Sequence, residues 1–164
     1  MIFSLSGGGS AMTAYAATQG YTALATALES GGQYIVTNAD GTKAMSDATS
    51  SDGLAGVDIT MNADKTTVST EDAGGLEAFI WTSDDGKTLT LNDKKLKIAT
   101  TVTASSYDSS QLEITADGGL KCTANGYYLL YENTAFSTGF SSGNVKVYKI
   151  SMCAHENKID EQHK

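Results

Sequence analysis

Phe79-Ile80-Trp81-Thr82-Ser83-Asp84-Asp85-Gly86 is a short apolar stretch running into a polar turn that holds Asp-Gly. Two other stretches have the same shape: Tyr34-Ile35-Val36-Thr37-Asn38-Ala39-Asp40-Gly41 and Leu112-Glu113-Ile114-Thr115-Ala116-Asp117-Gly118. Aromatic and β-branched residues suit strands, and Asp-Gly tolerates the positive φ of tight turns. Each copy therefore predicts a strand, a corner and a second strand. A recurring unit of this kind indicates architecture before any single motif does.

Copies two and three go on matching past the Asp-Gly turn. Leu89-Thr90-Leu91 leads into Asn92-Asp93 and Leu96-Lys97-Ile98, as Leu120-Lys121-Cys122 leads into Asn125-Gly126 and Tyr128-Leu129-Leu130. Asn-Gly predicts a type I′ hairpin turn, with positive φ at both central residues. Tyr127–Tyr131 is continuously apolar, which predicts a strand covered on both faces. The Asp-Gly turns stand 45 and then 32 residues apart, so the repeat is irregular. About twelve short strands in three units predict an all-β protein built as a β-trefoil-like barrel, closed so that no edge is left free. A β-sandwich is the alternative.

Residues 21–150 carry this pattern and form the expected β-rich domain. Residues 1–20 read as an arm. Its Gly7-Gly8-Gly9-Ser10 run is linker-like, and Ser10 caps a short Ala-rich helix expected over Ala11–Thr18. Residues 151–164 are polar, without an apolar stripe, and read as a tail. Met1–Leu5 is too short for a signal-peptide core of about 7–15 residues. Either export does not use the usual signal or the true N-terminus lies upstream. Gly, Thr, Ser and Gln interrupt residues 4–28 too often for a membrane span.

The composition narrows the function. Hydrophobic residues make up 40% of the 164, enough for a core, and 17 glycines without a proline suit many tight turns. The formal charge of −8, with no basic cluster, argues against nucleic acid and against anionic membrane as partners. Cys122 and Cys153 lie 31 residues apart. They read either as a disulfide fastening the C-terminal segment or as a buried residue plus a free thiol.

No catalytic signature emerges. Both histidines, His155 and His163, fall in the tail, away from any serine or cysteine nucleophile of the β-rich domain. Cys153, His155 and His163 lack the spacing of a four-ligand zinc site. The acidic turn Ser83–Gly86 lacks the EF-hand pattern, and no pair of carboxylates is singled out for glycoside hydrolysis. The reading is of a protein without enzymatic activity, metal or cofactor. Aromatic rings offer another chemistry, because they stack on the apolar faces of sugars. Trp81, Tyr107, Tyr127, Tyr131, Phe136 and Phe140 come into view; Trp81, Tyr131, Phe136 and Phe140 are the candidate ligand-binding residues. Trp81 has core residue as its competing reading, since Phe79 and Ile80 adjoin it. Phe136 and Phe140 lie in the Ser/Gly/Thr-rich stretch 133–144, where no apolar periodicity explains them.

A set of segments also carries a family resemblance. Tyr21-Thr22-Ala23-Leu24 is followed by Leu28-Glu29-Ser30-Gly31-Gly32-Gln33-Tyr34-Ile35-Val36. Lys43-Ala44-Met45-Ser46, Phe79-Ile80-Trp81-Thr82, Gly126-Tyr127-Tyr128-Leu129-Leu130-Tyr131 and the closing Val145-Lys146-Val147-Tyr148-Lys149-Ile150 come after it in order. Together they resemble a β-rich accessory module of secreted and surface proteins of gut bacteria, across about residues 21–150. The resemblance implies a non-catalytic, extracellular or cell-surface binding or adhesion module; it carries no binding residues. A glycan is the first expected ligand, and another protein the second. The competing expectation is a structural subunit of a virion or surface filament. Such a subunit would form homo-oligomers through residues 1–20, whose uncharged arm could add to a neighbour's sheet.

Overall fold

The computed structural model describes residues 18–141 and 144–152. The described chain is all-β. It opens with β1 (Thr18–Leu24), β2 (Gly32–Asn38), β3 (Lys43–Ser50), β4 (Gly53–Asp58), β5 (Thr60–Met61) and β6 (Thr67–Thr70). A single 3-10 turn, Leu76–Phe79, precedes β7 (Trp81–Ser83). Then come β8 (Thr90–Leu91), β9 (Lys94–Ile98), β10 (Val102–Ser105), β11 (Leu112–Ile114) and β12 (Leu120–Cys122). The last three are β13 (Tyr128–Glu132), β14 (Ala135–Gly139) and β15 (Val145–Ser151). The expected helix over 11–18 lies outside the described residues except for Thr18, which begins β1. Most of the expected tail also lies outside them, and Ser151 belongs to β15.

All the ladders are antiparallel and belong to one sheet. Its hub is β2. One edge of β2 pairs with β15, as in Tyr34 opposite Lys149 and Thr37 opposite Lys146. The other edge is divided: Tyr34 also faces Trp81 of β7, and Thr37 also faces Ala44 of β3. Two branches leave that edge. One runs through β7, β8 and β9 to β10; the other runs through β3, β4, β14, β13 and β12 to β11. Among the described residues no ladder joins β10 to β11. The expectation of a closed barrel is thereby corrected. A strand that shares one edge between two partners forks the sheet, and the branches curl without meeting in a ring.

The hub strands are covered on both faces. On β2, Tyr34 and Val36 enter the larger core while Ile35 enters a second one. On β15, Val145 and Val147 go to the first, and Tyr148 and Ile150 to the second. This period of two, buried on both sides, explains the unbroken apolar run of the first repeat copy. Coverage of Tyr127–Tyr131 differs from expectation: Leu129 is buried, whereas Tyr127, Tyr128, Leu130 and Tyr131 are half-buried. That hairpin forms the outer wall of the larger core.

The corners follow the sequence in part. Gly41, Gly86 and Gly118 of the three Asp-Gly turns have φ of 75°, 78° and 90°, which glycine adopts at little cost. Asn125-Gly126 is not the expected type I′ turn, because only Gly126 has positive φ. The turns with two successive positive φ values are Asn92-Asp93, at 55° and 65°, and Asn133-Thr134, at 53° and 65°. They connect β8 to β9 and β13 to β14.

Candidate functional site

The β13–β14 hairpin positions the most exposed aromatic surface that has a built support. The two-residue turn at Asn133-Thr134 sets the register, with Glu132 opposite Ala135 and Tyr128 opposite Gly139. Extending that register by one row places Tyr127 opposite Phe140. Their ring centroids are 4.9 Å apart, with the planes inclined at 42°. Cross-strand aromatic neighbours of this kind are the ordinary unit of sheet packing. Here one member is left outside: Tyr127 is half-buried against the larger core, while Phe140 is 82% exposed.

The supports of the pair are polar and local. Asn125 Oδ1 accepts a hydrogen bond from the Tyr127 amide at 2.9 Å, and its Nδ2 donates to the Ile98 carbonyl at 3.0 Å. This carboxamide ties the entry of β13 to the end of β9. Asn144 brackets the same strand further on. Its Oδ1 accepts from the Tyr131 amide at 2.8 Å and its Nδ2 donates to the Tyr131 carbonyl at 3.0 Å. Beside the platform, the Lys121 ammonium lies 5.5 Å from the Tyr128 ring centroid and 3.4 Å from Glu113 Oε2.

The other candidate residues separate clearly. Trp81 is fully buried, and its indole Nε1–H donates to the Met45 carbonyl at 3.0 Å. Phe136 is also fully buried, paired with half-buried Tyr131 at a centroid distance of 4.9 Å. Trp81 and Phe136 are core residues whose faces are already occupied, so the expectation that they bind ligand is corrected. The structure brings Tyr131 and Phe136 together four residues along the hairpin from Tyr127 and Phe140. Tyr107 is 90% exposed and belongs to neither pair. Tyr127 was missing from the expected set. Its signal was the spacing: Tyr127 and Phe140 are equidistant from the Asn133-Thr134 turn. Cys122 is a buried free thiol, and Cys153 lies outside the described residues, as do both histidines.

Among the described residues, no three His, Cys, Asp or Glu side chains converge to hold a metal. No described helix is long and apolar enough to cross a membrane. The arrangement offers ring stacking and hydrogen bonding. The chain matches no protein-family model, no curated protein and no solved structure.

Proposed function

We propose that this protein is a non-catalytic binding module, secreted or displayed at a cell surface, that holds carbohydrate on the Tyr127–Phe140 pair. One observation carries the reading: Phe140 is 82% exposed, yet its neighbour is locked to the core. Burying a Phe side chain is worth roughly 1.5–3 kcal/mol, and that stabilisation is left unused in the free protein. The C–H face of a sugar ring recovers part of it by stacking on the ring. Rigid amides such as Asn125 nearby keep the platform in place before the ligand arrives. The order of motifs, which resembles that of surface modules of gut bacteria, is the support for the location. At the finer level of architecture, we read the three Asp-Gly units as an open, trefoil-like grouping around the larger core.

The test is a printed glycan array probed with the full chain. Wild type is expected to bind at least one glycan, and Phe140→Ala to weaken that binding tenfold or more, about 1.4 kcal/mol. An array on which wild type stays dark contradicts the proposal.

A structural subunit is the second reading. It is supported by Leu24, 52% exposed, which with Ala23 of the same strand, β1, and Tyr148 of β15 borders a cavity of about 350 Å³. Light scattering tests it: the full chain would assemble, and deletion of residues 1–17 would leave monomers. A full chain that is itself monomeric contradicts this reading.

A further inference from the structure

Ser137, Thr138 and Gly139 connect the buried Phe136 to the exposed Phe140. The ladder from β14 to β4 covers only Ala135 and Phe136, so beyond Phe136 that edge of β14 has no strand partner. A groove of about 240 Å³ runs there, walled by Thr138, by Thr100 and Thr101 of the β9–β10 turn, and by Asp52, Glu132 and Asn133. Its chemistry is hydroxyls, one carboxamide and two carboxylates, with no lysine in the wall. Neither Asp52 nor Glu132 forms an ion pair among the described residues.

Thr138 Oγ1 is buried and has no hydrogen-bond partner; it is the one such side-chain atom among the described residues. A buried hydroxyl left unpaired costs roughly 1–3 kcal/mol, so natural structures rarely keep one without a reason. Its surroundings account for the missing partner. Thr138 faces Leu129 across the hairpin and lies between Phe136 and Phe140 on its own strand, so its neighbours are apolar. A step of about 120° between χ1 wells carries the hydroxyl to another of the three positions on Cβ. Thr138 lines the groove, so a hydroxyl turned out of the apolar position is offered to a ligand bound there.

We propose that this groove is a second saccharide subsite, taking the hydroxyls of a neutral sugar unit next to the one stacked on Phe140. The inference rests on the Tyr127–Phe140 reading and adds a ligand class to it. Thr138 is two residues from Phe140, roughly 7 Å along a strand, so adjacent units of one chain reach both places. Ionised carboxylates accept strong hydrogen bonds from sugar hydroxyls. The same carboxylates, in a protein of formal charge −8, repel uronic or sialic acid groups. The site therefore selects neutral glycans and rejects acidic ones.

The experiment uses the full chain and an array printed with matched pairs of neutral oligosaccharides and their C6-carboxylated counterparts. Wild type, Phe140→Ala, Thr138→Val and Glu132→Gln are compared, and each affinity is then measured by calorimetry. Thr138→Val replaces the unpaired hydroxyl with a methyl of the same shape, so its melting temperature is expected to equal or exceed that of wild type. The expected result is preference for the neutral member of a pair, with binding weakened fivefold or more in Thr138→Val and Glu132→Gln. Binding that is lost in Phe140→Ala but unchanged in those two variants overturns the subsite and leaves the platform standing. Preference for the carboxylated member also overturns the subsite alone. Absence of binding to every glycan overturns both.

Discussion

The indole Nε1–H of Trp81 donates to the backbone carbonyl of Met45 at 3.0 Å, across the fork where β7 and β3 leave the same edge of β2. β3 pairs with β2 at Ala44 alone, and Met45, the next residue, pairs with Gly56 of β4 on the other edge. The indole of β7 thereby bonds to β3 just past the last residue that β3 shares with β2. Trp81 is thus the pin of the fork as well as a core residue. Trp81→Phe keeps most of the volume and removes the donor, and a cost of about 1–3 kcal/mol is expected. Trp81→Ala also leaves a cavity, at about 3–5 kcal/mol. Urea unfolding checks both; a Trp81→Phe variant as stable as wild type would show that the hydrogen bond does not hold the fork.

A second repeat, Asn-Ala-Asp-x-Thr, lies within the sequence at Asn38–Thr42 and Asn62–Thr66. Both copies build the same turn. Asn38 Oδ1 accepts from the amides of Thr42 and Lys43 at 2.9 and 3.1 Å, and its Nδ2 donates to Thr42 Oγ1 at 2.9 Å. Asn62 does the same with Thr66 and Thr67, at 2.8, 3.1 and 2.8 Å. Only burial differs, because Asn38 is buried and Asn62 is exposed. Water replaces lost partners at the exposed copy alone. Asn38→Ala is expected to cost about 1–3 kcal/mol and Asn62→Ala less than about 1 kcal/mol. Denaturant midpoints for the two variants decide it, and equal losses would contradict the account.

Asp85 gives a pH dependence of known sign. The Lys87 amide donates to its Oδ1 at 2.8 Å and the Thr88 amide at 2.9 Å, and these bonds hold its carboxyl below the usual carboxylate range. A pKa lowered by folding contributes stability that is fully present above the unfolded value, about 3.9. The contribution is lost as pH falls through the lower folded value. The stability gap between wild type and Asp85→Ala should therefore be constant near neutrality and narrow below about pH 4. A gap that does not change with pH would contradict this, and an NMR titration of the Asp85 carboxyl reads the shift directly.

Much of the sheet was legible because its signals are local. Apolar residues alternate at Leu96-Lys97-Ile98 and Val145-Lys146-Val147, where β9 and β15 form, and the Asp-Gly corners placed three turns. The fork was not legible. Whether Thr37 shares its edge with Ala44 while Tyr34 shares it with Trp81 is decided by long-range pairing, on which neighbouring residues are silent. β10 carries little local signal either. Val102 is its one buried residue, and Thr103, Ala104 and Ser105 read as loop. At the candidate site, Phe140 was recognised because nothing around it explained an aromatic residue. Tyr127 came into view but stayed outside the four candidates because it lies in an apolar run, and only the position of the two-residue turn at Asn133-Thr134 reveals its partner. Trp81 and Phe136 show the opposite failure: residue type suggested a platform, and burial assigns both to the core.

In the proposed binding mode Tyr127 and Phe140 together form the ligand-binding face. Its most direct test is an NMR titration of the full chain with the neutral oligosaccharide that binds best on the array. Chemical-shift changes and sugar-to-ring contacts are expected at Phe140 and Tyr127, with the Trp81 indole N–H unchanged because it stays bonded to Met45. Saturable binding that shifts residues elsewhere and leaves both rings untouched would contradict it.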